Sequence, residues 1–124
     1  MISLLTVVQI VDNSGGIVAR CIKILKPHNR KYAQVGDLIL VSIQKTIPSS
    51  KIRKGEIYKA TVVRTKVGKI RFDMNAVILV KSNPKTIELS PIGTSIKGVL
   101  SQQLKYHSGC GKLLALAGVK NTIY

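Results

Sequence analysis

LILVSIQKT, residues 38–46, decides the architecture. Ile39, Val41 and Ile43 fall on one face, because successive side chains of a strand point to opposite sides. The other face passes from Leu38 and Leu40 to Ser42 and Gln44. One side is apolar throughout and the other changes character along its length, which is how the wall of a barrel reads. Four more runs rich in Val, Ile and Thr lie around it, at residues 6–11, 18–25, 57–65 and 76–80, with turn residues between them. Five strands therefore precede any helix, and the fold class expected is mainly β.

The connections carry their own chemistry. Asp12-Asn13-Ser14-Gly15-Gly16 joins side chains that bond their own backbone to glycines that accept positive φ, so a tight reversal is expected there. Pro48 and Gly55 bracket the basic SSKIRK segment, and Val67-Gly68 separates the strand ending near Arg64 from IRF at 70–72. Both read as hairpins projecting from the barrel and carrying charge outward. After Pro91, leucines recur at helical spacing over residues 101–106 and 112–117, with Gly118 placed as a stop. Two short C-terminal helices are expected. With 124 residues and neither a repeat nor a linker, one domain over residues 1–124 is expected.

Twenty Lys and Arg stand against five Asp and Glu, a formal charge of +15. Self-repulsion on that scale opposes a compact state unless a polyanion neutralises it. The 45% hydrophobic content excludes a basic disordered tail, and no apolar run approaches the roughly 20 residues that span a bilayer. The N-terminus has no basic region ahead of its first strand, so neither a signal peptide nor a presequence is expected. Two isolated cysteines, Cys21 and Cys110, fit a reducing compartment.

Catalytic readings fail on residue placement. The acids Asp12, Asp37, Glu56, Asp73 and Glu88 are dispersed, with Asp12 and Asp37 in turn contexts, so no general acid/base pair forms. Cys21, His28, His107 and Cys110 equal the ligand count of a zinc site but lack a Cys-x-x-Cys pair. Gly109-Cys110-Gly111-Lys112 partly matches a phosphate loop, which would require glycine at Tyr106 and Ser or Thr at Leu113. Catalytic residues, metal ligands and cofactors are all expected to be none.

The charge is concentrated in residues 45–72, where nine Lys and Arg face one acid, Glu56. An exposed hairpin kept soluble by lysine would mix signs, whereas this asymmetry suits phosphate contact, in which each neutralised phosphate releases counterion. A membrane surface is also anionic, but no basic amphipathic helix or lipid anchor is present. The aromatics Tyr32, Tyr58, Phe72, Tyr106 and Tyr124 are scattered, which disfavours a base-stacking platform. No helix-turn-helix, zinc finger or basic zipper is visible. Folded RNA read through its backbone is the remaining partner. The RNA-binding residues expected are Lys45, Lys51, Arg53, Lys54, Lys59, Arg64, Lys66, Lys69 and Arg71, with Arg20, Lys23, Arg30 and Lys31 as a second footprint.

Several strings are specific enough to name a family. They are VDNSGG (11–16), ARCIKIL (19–25), Arg30-Lys31-Tyr32-Ala33 with Val35-Gly36-Asp37, KTIP, KIRKGEIYKATVVRTK, IRFDMNAVILV (70–80) and PIGTSIKG (91–98). Through them the chain resembles, nearly end to end, the universal large-subunit ribosomal protein of the L fourteen family in its bacterial and organellar form. The resemblance implies a small closed five-stranded β-barrel with a projecting basic β-ribbon and short C-terminal helices, bound to large-subunit rRNA. It implies neighbouring ribosomal proteins of the L three and L nineteen families, and a bridge to small-subunit rRNA. Pro48, Ser49, Ser50, Thr94, Ser95 and Lys112 would lie at such contacts.

Departures from the family pattern are also visible. Relatives usually carry a hairpin tip with Arg, Pro, Asp and Gly between Lys69 and Ile70, absent here, so a shorter ribbon is expected. The Arg common after Pro-Ile-Gly-Thr is Ser95, and Met74 stands where Gly is usual, while Lys112 aligns with a family lysine at the surface where a silencing factor docks on bacterial relatives. The shortened ribbon and divergent C-terminus favour a mitochondrial ribosome, with bacterial cytoplasm or plastid as alternatives. The competing function is an exchanging single-strand RNA chaperone or translation factor built on an oligonucleotide-binding barrel.

Overall fold

The computed structural model describes residues 2–26, 31–48, 52–66, 74–82 and 89–92. Six strands follow in chain order: β1 (Val7–Ile10), β2 (Gly16–Lys26), β3 (Leu38–Thr46), β4 (Ile57–Arg64), β5 (Ala76–Ser82) and β6 (Leu89–Pro91). Strands β1 to β5 pair antiparallel in succession. β1 then meets β5 in parallel, Gln9 beside Ala76 and Ile10 beside Val77, and closes a five-stranded barrel.

The alternation seen in the sequence fills the interior. Val8 and Ile10 from β1, Ala19 and Cys21 from β2, Ile39, Val41 and Ile43 from β3, Ala60 and Val62 from β4, and Val77 and Leu79 from β5 form one core. On β2 the inward set steps from Cys21 to Ile24, three residues rather than two, because the pairing with β3 is bulged between Cys21 and Lys23. Further irregularities near Gly16, Val18 and Ile24 increase the coiling of this long strand, as barrel closure requires. Gly16 lets Ile10 pack close where β2 starts: a Cβ there would stand 2.6 Å from Ile10 Cδ1, and the isoleucine methyl would have to move. β4 and β5 are buried on both faces in their central parts, with the outward Leu38, Thr61 and Ile78, paired across three strands, also buried.

The free edge of β5 is satisfied by three different groups in turn. β1 supplies the first, with the Gln9 N–H donating to Asn75 O and the Val11 N–H to Val77 O. Where β1 ends, Asp12 takes over: its Oδ2 accepts from the Leu79 N–H at 3.2 Å. β6 then pairs over residues 80–82, and the Ile92 N–H donates to Leu79 O. The other Asp12 oxygen accepts from the backbone N–H and hydroxyl of Ser14, which makes the expected reversal, with Gly15 at φ 110°. Asp12 is thus both a turn former and the joint at which the barrel edge passes from one strand to another.

The five expected strands are present, with β2 and β5 longer than expected. β6 is an addition that the sequence did not announce. Of the segment between Pro48 and Gly55, residues 49–51 lie outside the described residues, while Ile52 is buried in the core cluster. Lys59 and Arg64 likewise belong to the barrel wall in β4 rather than to protruding structure. The remainder of the expected ribbon, residues 67–73, and both expected helices lie outside the described residues.

Candidate nucleic-acid interface

The strands of the barrel contain no Asp or Glu, while they carry Arg20, Lys23, Lys26, Lys45, Lys59, Arg64 and Lys81. Register places several of these together. Lys23 on β2 is opposite Leu40 on β3, and Leu40 is opposite Lys59 on β4. The two lysines therefore flank Leu40 on the outer wall, two strand spacings or roughly 10 Å apart. One step along, Arg20 stands between Val7 and Ser42 on the same wall. Lys45 pairs with Val18 toward the far end, after the bulge that reverses the facing of β3. Arg20, Lys23, Lys45 and Lys59 are all exposed.

The described acids do not offset this wall, because each is engaged in a turn. Gln34-Val35-Gly36-Asp37 and Arg53-Lys54-Gly55-Glu56 are built alike. In both, glycine at the third position takes positive φ, 91° at Gly36 and 89° at Gly55. The acid N–H at the fourth position donates to the carbonyl of the first, Asp37 to Gln34 and Glu56 to Arg53. Its carboxylate in turn accepts from the N–H of the first, Gln34 N to Asp37 Oδ2 at 2.7 Å and Arg53 N to Glu56 Oε1 at 2.6 Å. The only acid within residues 45–72 thus closes the turn that presents Arg53 and Lys54, both exposed, and its second oxygen accepts from Tyr58 Oη at 3.3 Å. Burial, and then the Glu56 carboxylate, push the Tyr58 phenol up from its ordinary pKa.

Not all expected RNA-binding residues share this wall. Arg64 is half-buried beside Ala76, which borders Gln9, on the β4–β5–β1 side, and desolvation lowers its guanidinium pKa. Lys66 is exposed, and its backbone N–H donates to Asn75 Oδ1 at 3.0 Å. Lys31 is exposed near the N-terminal turn, and Pro48 is exposed at the end of β3. Arg30, Ser49, Ser50, Lys51, Lys69, Arg71, Thr94, Ser95 and Lys112 lie outside the described residues. Sequence reasoning treated Arg20 and Lys23 as a footprint separate from the 45–72 segment, whereas register joins both to Lys59. It also missed a cavity of about 470 Å³ lined by Ser3, Leu4, Lys23, Ile24, Lys31 and Tyr32.

Metal-site and nucleophile chemistry find no footing at Cys21. Its side chain is wholly buried in the core, its thiol points to Lys23 O at 3.8 Å, and burial pushes its pKa up. No group of three metal-ligating side chains occurs among the described residues.

A closed barrel whose strands carry cations and no acids defines a small basic β-barrel protein. The chain belongs to the ribosomal protein L14p/L23e family, whose family model matches residues 1–119. It is accordingly a structural protein of the large ribosomal subunit, a setting of large-subunit rRNA and other ribosomal proteins.

Proposed function

We propose that the chain acts as one domain that holds large-subunit rRNA by its phosphate backbone and helps form the junction with the small subunit. The observation that carries this reading is the wall of Arg20, Lys23, Lys45 and Lys59, exposed on strands without acids, continued by Arg53 and Lys54 on a turn whose acid is already engaged. Such a surface attracts closely spaced phosphates and reads no base, so its affinity comes largely from counterion release. Lys51, Arg64, Lys66, Lys69, Arg71, Arg30 and Lys31 extend the same contact. The loop from Pro48 to Lys54 and the C-terminal residues Thr94, Ser95 and Lys112 meet small-subunit RNA, with proteins of the L three and L nineteen families alongside. The ribosome is that of a mitochondrion.

Titration of RNA binding against salt tests the wall. Replacing Arg20 or Lys59 with Ala should weaken binding across RNA sequences and reduce the magnitude of the log K against log salt slope by about one unit each. An unchanged slope in both variants would sink the proposal. Sedimentation separates the rival reading: a structural component stays with the large subunit through a high-salt wash, whereas an exchanging factor moves to the top of the gradient.

A further inference from the structure

The cavity at the N-terminal end of the barrel has a composition unlike that of the wall. Leu4, Ile24 and the ring of Tyr32 supply apolar and aromatic surface, while Lys23 and Lys31 add two cations and Ser3 a hydroxyl. Leu4 and Tyr32 are 59% and 50% exposed, unusually open for side chains of their size. The 470 Å³ volume falls within the range of small-ligand sites. Backbone bonds set its shape. The Ile2 N–H donates to Ala33 O at 2.8 Å and the Ala33 N–H returns to Ile2 O at 2.6 Å, an isolated bridge that fixes the segment carrying Tyr32 against the N-terminal segment. The turn presenting Leu4 is closed by the Thr6 N–H on Ser3 O and by a bond between the Ser3 and Thr6 hydroxyls. The β2 bulge determines how Lys23 is presented beside it.

We infer that this cavity receives one unpaired RNA nucleotide, its base against Tyr32, Leu4 and Ile24 and its flanking phosphates at Lys23 and Lys31. The inference rests on the RNA-binding reading above and adds a single base-sized recess to an interface that otherwise contacts phosphate. Two cations and no acid among the described lining residues call for an anionic ligand, and an aromatic ring with two aliphatic side chains calls for a flat apolar body. A nucleotide extruded from a helix combines the two, and such bases are commonly stacked on tyrosine. Lys23 belongs both to the lining and to the cationic wall, so a backbone tracked along the wall leads directly to the cavity.

The test uses the full chain and two short RNA hairpins, identical except that one carries a single bulged 2-aminopurine. The quantity read is the ratio of the two affinities. The wild type should prefer the bulged hairpin by about tenfold and quench its fluorescence on binding. Tyr32→Phe should keep that ratio, and Tyr32→Ala should bring it close to one. Leu4→Ala should lower it in the same direction, which guards against misfolding in any one variant. A wild-type ratio near one with both hairpins bound would overturn the nucleotide assignment and leave the phosphate-binding reading standing. A ratio kept by both alanine variants would do the same. Failure to bind either hairpin would overturn both readings.

Discussion

At the scale of single residues, Asp12 has the largest structural role for its size. Its carboxylate is buried, and desolvation raises its pKa above the ordinary 3.8 even though Ser14 and Leu79 bond to it. The folded state therefore binds this proton more tightly than the unfolded chain, and the contribution of Asp12 to stability grows as pH falls through the window from the raised value down to 3.8. Comparing urea unfolding of the wild type with that of Asp12→Asn should show the wild type gaining relative stability on acidification. Asp12→Ala should cost about 1–3 kcal/mol at neutral pH, because the Leu79 N–H loses its acceptor in a buried setting. A cost near zero would mean that another group takes over the joint. Leu5 offers the opposite case. It adopts φ 67° at the third position of the Ser3–Thr6 turn while 68% exposed, a conformation that glycine accepts far more readily. Leu5→Gly should stabilise the protein by up to about 1 kcal/mol, measured as a higher urea midpoint at constant m-value.

At the scale of elements, the loop between β3 and β4 has two jobs, to hold Ile52 in the core and to present Arg53 and Lys54 outside. Ile52→Ala should cost about 3 kcal/mol by leaving a void at the barrel end, and it should also lower RNA affinity although the residue touches no phosphate. Equal affinity at unchanged protein folding would show that the loop works without its anchor. Much of this level was legible in the sequence. Alternation over residues 38–46 gave the inward face of β3, and Asp12 to Gly16 gave the turn, because both signals are local. β6 was not legible, since three residues that include a proline lack any strand period. Ile52 was hidden by context: a lone apolar residue among basic neighbours reads as part of a solvated run until a long-range contact buries it. The shared wall of Arg20, Lys23 and Lys59 was illegible for a related reason. Its register depends on bulges in β2, and one inserted residue changes which side chains look outward.

At the scale of the whole molecule, a charge of +15 on 124 residues acts against folding in isolation. The barrel strands add no acid to relieve it, and the three described acids are placed to close turns. The free protein should therefore be more stable with added salt. Its melting temperature should climb as potassium chloride rises from low to physiological concentration, where screening reduces repulsion to within a Debye length of about 8 Å. Lys45→Gln should shift the low-salt melting temperature upward while weakening RNA binding. A variant that lost both stability and affinity would imply that Lys45 holds the fold rather than a polyanion.

The parallel seam between β1 and β5, with the bond from Leu79 back to Asp12 spanning 67 positions, also sets the order of events during synthesis. An amino-terminal hairpin leaving the translation tunnel has nothing to close against until β5 follows it out, so the most cationic stretch of chain emerges before the cylinder can shut. Closure of the cylinder is therefore a late event, governed by the contact whose two ends lie furthest apart along the chain.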